Sequence, residues 1–162
     1  MSKDLDDSFD ELDFLEDDEY ERIIAQRKHA MKQEYDRVTS LKSMGYLEYK
    51  EILQEKELMN LITKTEKIVV HYFHPNFKAC KILDTHLEKL SQKILSARFV
   101  KANAENLPWL SKKINLRVLP CLVVYDRANV VDKLIGFDEL GKGDDNFQTS
   151  SLEKWLDKTG IS

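Results

Sequence analysis

Residues 67–94 read KIVVHYFHPNFKACKILDTHLEKLSQKI. Lys67 to Phe73 is a β-branched and aromatic run of the kind buried on both faces of a sheet. Pro75 and Asn76 mark a turn. Lys78 to Ile94 then carries Ile82, Leu83, Leu87, Leu90 and Ile94 at helical spacing. A buried strand fed through a tight turn into an amphipathic helix predicts one crossover unit of a parallel sheet.

The flanking pattern extends that unit. Tyr46 to Ile52 is expected as a short strand, Gln54 to Lys64 as a helix, Arg98 to Ala104 as a strand, and Pro108 to Ile114 as a short helix with Pro in its first turn. Leu119 to Tyr125 is a further buried strand, Asp126 to Asn129 a hairpin turn, and Val130 to Gly136 the antiparallel partner. A last helix is expected to open on the capping box Ser150-x-x-Glu153 and to run through Leu152, Trp155 and Leu156. The order β-α-β-α-β-α-β-β-α describes an α/β fold, a mixed central sheet flanked by helices on both faces.

The chain has 162 residues, 42% of them hydrophobic and 33% charged, which suits one domain with an appendage and excludes collagen-like and low-complexity classes. No apolar run approaches the roughly 18 residues of a membrane span, so no membrane contact is expected. The acidic start, Met1-Ser2-Lys3-Asp4-Leu5-Asp6-Asp7, lacks the features of a secretory or transit peptide, and the expected address is cytoplasmic, with the nucleus as the alternative. Cys80 and Cys121 are the two cysteines, and their spacing supports neither a disulfide framework nor a zinc site. His71, His74 and His86 likewise fit no metal-ligand spacing, and Gly141-Lys142-Gly143 lacks the form of a phosphate loop. No cofactor and no metal are expected.

Eleven acids against Lys3 give residues 1–21 a local charge of −10, and the remainder of the chain is +6. Such a tail repels nucleic acid, and it either steers towards a basic protein or simply solubilises the chain. Residues 1–17 are expected as an acidic, disordered tail and 18–45 as an extended N-terminal helix. The helix starts between Ser8, where Ser8-x-x-Glu11 is a capping-box pattern, and Asp18, and it stops at Gly45. Its stripe of Tyr20, Ile24, Met31, Tyr35, Val38 and Leu41 is narrow, so the helix is expected to project or to lie on a partner, the alternative being packing on its own domain. Tyr20, Ile24, Met31 and Tyr35 are the candidate partner contacts.

The element order is that of thioredoxin, and the residues carry the resemblance further. Where thioredoxins place C-x-x-C at the head of the helix, this chain has Phe77-Lys78-Ala79-Cys80, and its Leu119-Pro120 falls at the cis-proline that faces the dithiol. Phe77 thus stands for the first cysteine and Cys80 for the second. His71 falls where the catalytic proteins keep a buried carboxylate. Dithiol exchange needs an attacking thiolate and a resolving thiol, so the site is vestigial and no enzyme activity is expected. Tyr46-Leu47-Glu48-Tyr49-Lys50-Glu51-Ile52, Val70-His71-Tyr72-Phe73, Phe77 to Asp84, Gly136-Phe137-Asp138-Glu139-Leu140-Gly141 and Asp144-Asp145-Asn146-Phe147 resemble the phosducin-like family, in its thioredoxin domain-containing protein 9 class.

That resemblance implies a thioredoxin-like domain over 46–162 and a non-catalytic cofactor of the cytosolic ring chaperonin that modulates folding of its actin and tubulin clients. It departs from phosducin in that residues 1–45 hold no Trp and only the helix-ending Gly45, which puts G-protein βγ binding in question. The alternative is a single-cysteine redox-regulated protein using Cys80, with Cys80 and Cys121 either forming a regulatory disulfide or serving as two structural thiols.

Overall fold

The computed structural model describes residues 16–140 and 146–162. The acidic segment before Glu16, the Ser8–Glu11 pattern and the stretch 141–145 lie outside them. Contacts divide the chain between Ser40 and Leu41, within the last turn of helix α1 (Asp17–Ser43).

Helix α1 buries none of its residues. Tyr20, Ile24, Met31 and Tyr35 fall within about 60° of one another around its axis, as 100° per residue requires, and Ile24 alone of the four is half-buried. The helix ends in a Schellman motif: Tyr46 N–H bonds Leu41 C=O (2.9 Å), Gly45 N–H bonds Lys42 C=O (3.0 Å), and Gly45 takes φ +92°.

The second unit is a five-stranded sheet of order β1-β3-β2-β4-β5, made of β1 (Tyr49–Glu51), β2 (Lys67–Phe73), β3 (Arg98–Asn103), β4 (Cys121–Asp126) and β5 (Asn129–Ile135). β3 pairs in parallel with β1 and β2, while β4 runs antiparallel to β2 and β5. Strand alternation splits the core into two layers. Val69, Phe99, Leu122, Val124 and Leu134 meet α3 (Lys78–Lys93) and α5 (Thr149–Lys158) through Leu83, Leu87, Leu90, Leu152, Trp155 and Leu156. On the other face Ile68, Val70, Tyr72, Val100, Val123 and Tyr125 meet Leu58 and Ile62 of α2 (Glu55–Lys64) and Leu110 of α4 (Pro108–Lys113).

Three sequence expectations are corrected. The first strand is three residues rather than seven, because the chain is still turning at Leu47, φ 61°. β4 starts at Cys121 rather than Leu119, since Pro120 has no N–H to give a ladder. The Ser150–Glu153 capping box does not form: α5 starts at Thr149 after an N-cap Gln148 that makes no side-chain cap. Ser150 Oγ instead donates to Gln148 Oε1 (3.3 Å), and Glu153 accepts from Lys93 Nζ (2.8 Å).

Candidate functional site

β2 and α3 meet at the turn that carries the vestigial site. Asn76 N–H bonds His74 Nδ1 (3.1 Å), His74 Nε2 lies 2.7 Å from Glu105 Oε1, and the His74 and Phe77 rings stack with centroids 4.8 Å apart. These contacts hold Phe77 at the head of α3, 44% exposed, while Cys80 turns inward to 1%. The Leu119–Pro120 bond is cis.

Burial pushes the Cys80 thiol up, against a smaller opposite pull from the His74 backbone. Burial also raises Cys121, to about 11. Both thiols are free and stay protonated near neutral pH, the unreactive form for exchange or metal binding. Their surroundings differ. Cys121 lies in the apolar layer with Tyr72 and Tyr125, whereas Cys80 precedes Asp84 by one helical turn and feels its charge. Among the described residues no cluster of His, Cys, Asp or Glu could hold a metal ion.

Beneath the turn lies a polar cluster that sequence reasoning passed over. The Tyr49 hydroxyl donates to Asp84 Oδ1 (2.6 Å), His71 Nδ1 lies 3.0 Å from the same oxygen and 2.9 Å from the Tyr49 oxygen, and Lys101 Nζ donates to Asp84 Oδ2 (3.1 Å). The Lys101 ammonium also lies over the Tyr49 and Phe73 rings, at 5.6 and 5.2 Å. Four elements, β1, β2, β3 and α3, thus converge on one carboxylate.

The charge states follow from the surroundings. Burial drives His71 below its ordinary value, more strongly than the Asp84 hydrogen bond lifts it, so the ring is neutral. With the proton on Nδ1 pointing at Asp84, the other nitrogen is a bare acceptor, and His71 Nε2 has no hydrogen-bond partner among the described residues. Burial raises the Asp84 carboxyl, but the hydrogen bonds of His71, Tyr49 and Lys101 outweigh it and hold the group below its ordinary range. Burial and the Asp84 charge push the Tyr49 phenol far up. The cluster can brace the sheet edge: the one proton of the neutral imidazole is engaged with the Asp84 carboxylate. A signal for it was present, since Asp84 follows Cys80 by four positions and interrupts the buried helical face of Leu83 and Leu87.

The thioredoxin family model matches residues 49–145. Among curated proteins the chain is 39% identical over 152 residues to Thioredoxin domain-containing protein PLP3A of Arabidopsis thaliana, covering 93% of this chain and 65% of that one. It is 38% identical to Phosducin-like protein 3 of Dictyostelium discoideum, covering 92% and 79%, and 35% identical to Thioredoxin domain-containing protein 9 of Caenorhabditis elegans, covering 99% and 77%. This chain belongs to the phosducin-like family.

Within that family it spans 65% of the Arabidopsis relative and 50% of Thioredoxin domain-containing protein plp1 of Schizosaccharomyces pombe. Spinach chloroplast thioredoxin f superposes with a TM-score of 0.61 at 16% identity over 75% of this chain and 93% of that one, which establishes the thioredoxin-like fold. Among the described residues of this phosducin-like chain no helix is long and apolar enough to cross a membrane.

Proposed function

We propose that this chain is a non-catalytic, cytoplasmic co-chaperone that binds the cytosolic ring chaperonin and modulates folding of actin and tubulin. One observation carries the non-catalytic half: the place of a thioredoxin dithiol holds an exposed Phe77 and a thiol, Cys80, that is 1% exposed with its pKa pushed up by burial. Neither can start an exchange. The same burial weighs against a redox switch at Cys80, which needs an accessible thiolate.

Support for the binding half comes from family membership and from α1. A helix of 27 residues that buries none of them offers Met31 and Tyr35, each 72% exposed, as anchors for helix-in-groove recognition. The rigid sheet supplies a second docking surface.

The test is chaperonin-assisted refolding of denatured actin and of tubulin, with the purified chain added at increasing ratio. The reading expects a dose-dependent change in the yield of native client, in either direction, and no reduction of insulin disulfides. Unchanged yields for both clients would remove the reading.

A further inference from the structure

On the side of the sheet covered by α2 and α4, the helical layer stops short of β5. A cleft of about 430 Å³ opens there, walled by Met59 and Ile62 of α2, by Trp109 of α4 and by Ile114 just after that helix, with Tyr125 and Val130 as its floor. Trp109 is 51% exposed and Val130 45%. The cause lies in the fold: a sheet face in a layered α/β structure is covered by helices, α4 has only six residues, and β5 ends the strand order. The surface above β5 is therefore left uncovered, and its lining is mostly apolar.

Its charged lining is of one sign. Lys113 and Lys133 line the cleft, and among the described residues no carboxylate does. Lys133 Nζ donates to the Ile114 carbonyl oxygen (2.6 Å), which fixes its charge at the wall, and Lys113 lies over the Trp109 ring at 5.8 Å. Two cations at an apolar slot select against basic occupants and favour acidic ones.

We propose that this cleft receives an acidic amphipathic helix of a partner protein, with its apolar face on Ile62, Trp109 and Val130 and its carboxylates toward Lys113 and Lys133. Its lining residues belong neither to α1 nor to the vestigial turn, and the proposal does not depend on the chaperonin reading.

The probe is a fluorescein-labelled helical peptide of about 18 residues, Leu at i, i+3, i+4 and i+7 and Glu on the other face, titrated into the intact chain and read by anisotropy. Saturable binding with a Kd of micromolar order is expected. Weakening of about tenfold or more is expected in Lys113→Glu, in Val130→Asp, and for the peptide with Lys in place of Glu. Independently of the variants, the peptide shifts the indole N–H resonance of Trp109 and leaves that of buried Trp155 in place. No saturation, equal binding of the basic peptide, or shifts at Trp155 alone would overturn the proposal. So would tightening of about tenfold on removal of residues 1–15, which would assign the cleft to the chain's own acidic segment.

Discussion

Asp84 Oδ1 lies 3.0 Å from His71 Nδ1, so the carboxylate under the turn comes from helix α3 and the strand contributes an imidazole. In catalytic thioredoxins the strand position carries the carboxylate. The exchange turns a proton-handling site into a brace: one acidic side chain ties the edge strand through Tyr49, the central strand through His71 and the neighbouring strand through Lys101.

This arrangement sets an acid response. His71 is neutral in the folded chain with its pKa below the ordinary 6.5, so as pH falls through that value the unfolded chain takes up a proton that the folded chain refuses. Stability falls from there downward, by up to about 1.4 kcal/mol per pH unit. Asp84, held below its ordinary 3.8, adds stability above that value which is lost as pH falls further. Urea unfolding at pH 7.5, 6, 5 and 4 should show the decline beginning near 6.5, and His71→Gln, whose amide does not titrate, should flatten the first part of it. A stability independent of pH between 7.5 and 5 would contradict the neutral buried ring.

Gly45 makes a second, independent prediction. At φ +92° an added Cβ would collide with the Arg98 guanidinium, and the backbone region itself is unfavourable for an L side chain. Gly45→Ala should cost about 1–2 kcal/mol, read as a lower midpoint in thermal melting. An unchanged midpoint would mean that the helix end relaxes without loss.

The thiols should be inert in the folded chain. Ellman's reagent is expected to react slowly with Cys80 and Cys121 in buffer and fully in denaturant, because both are buried with raised pKa values. Phe77→Cys restores the two-thiol spacing, yet insulin reduction should reach only a trace of thioredoxin's rate, since His71 cannot act as the buried carboxylate. Thioredoxin-like turnover by the unmodified chain would contradict the account.

Much of the fold was legible because its signals are local. The apolar run Lys67–Phe73 forms a strand over that whole span, and the spacing of Leu83, Leu87 and Leu90 places these three in the core. The vestigial turn was legible from Phe77, Cys80 and Pro120 through resemblance. The Tyr49–His71–Asp84–Lys101 cluster left one local trace, the break Asp84 makes in the apolar face of its helix. Its partners depend on which strands become neighbours, and the parallel register Tyr49↔Phe99 and His71↔Lys101 cannot be read from periodicity. Ser150–Glu153 failed because the helix starts at Thr149, which puts Ser150 inside it rather than at the cap, and Glu153 instead accepts from Lys93, 60 positions away.

The most direct test of the central claim is binding of the purified chain to purified ring chaperonin, measured for the intact chain and for a form lacking residues 1–44, at ionic strengths from about 0.05 to 0.3 M. Over that range the screening length shortens from roughly 14 to 6 Å, so a contact steered by the local −10 of residues 1–21 should weaken. The account predicts salt-sensitive binding by the intact chain and loss of most of it in the truncated form, which still melts cooperatively. Failure of the intact chain to bind at any ionic strength would contradict it, and salt-independent binding by a folded truncation would place the docking surface on the thioredoxin-like domain instead of on α1.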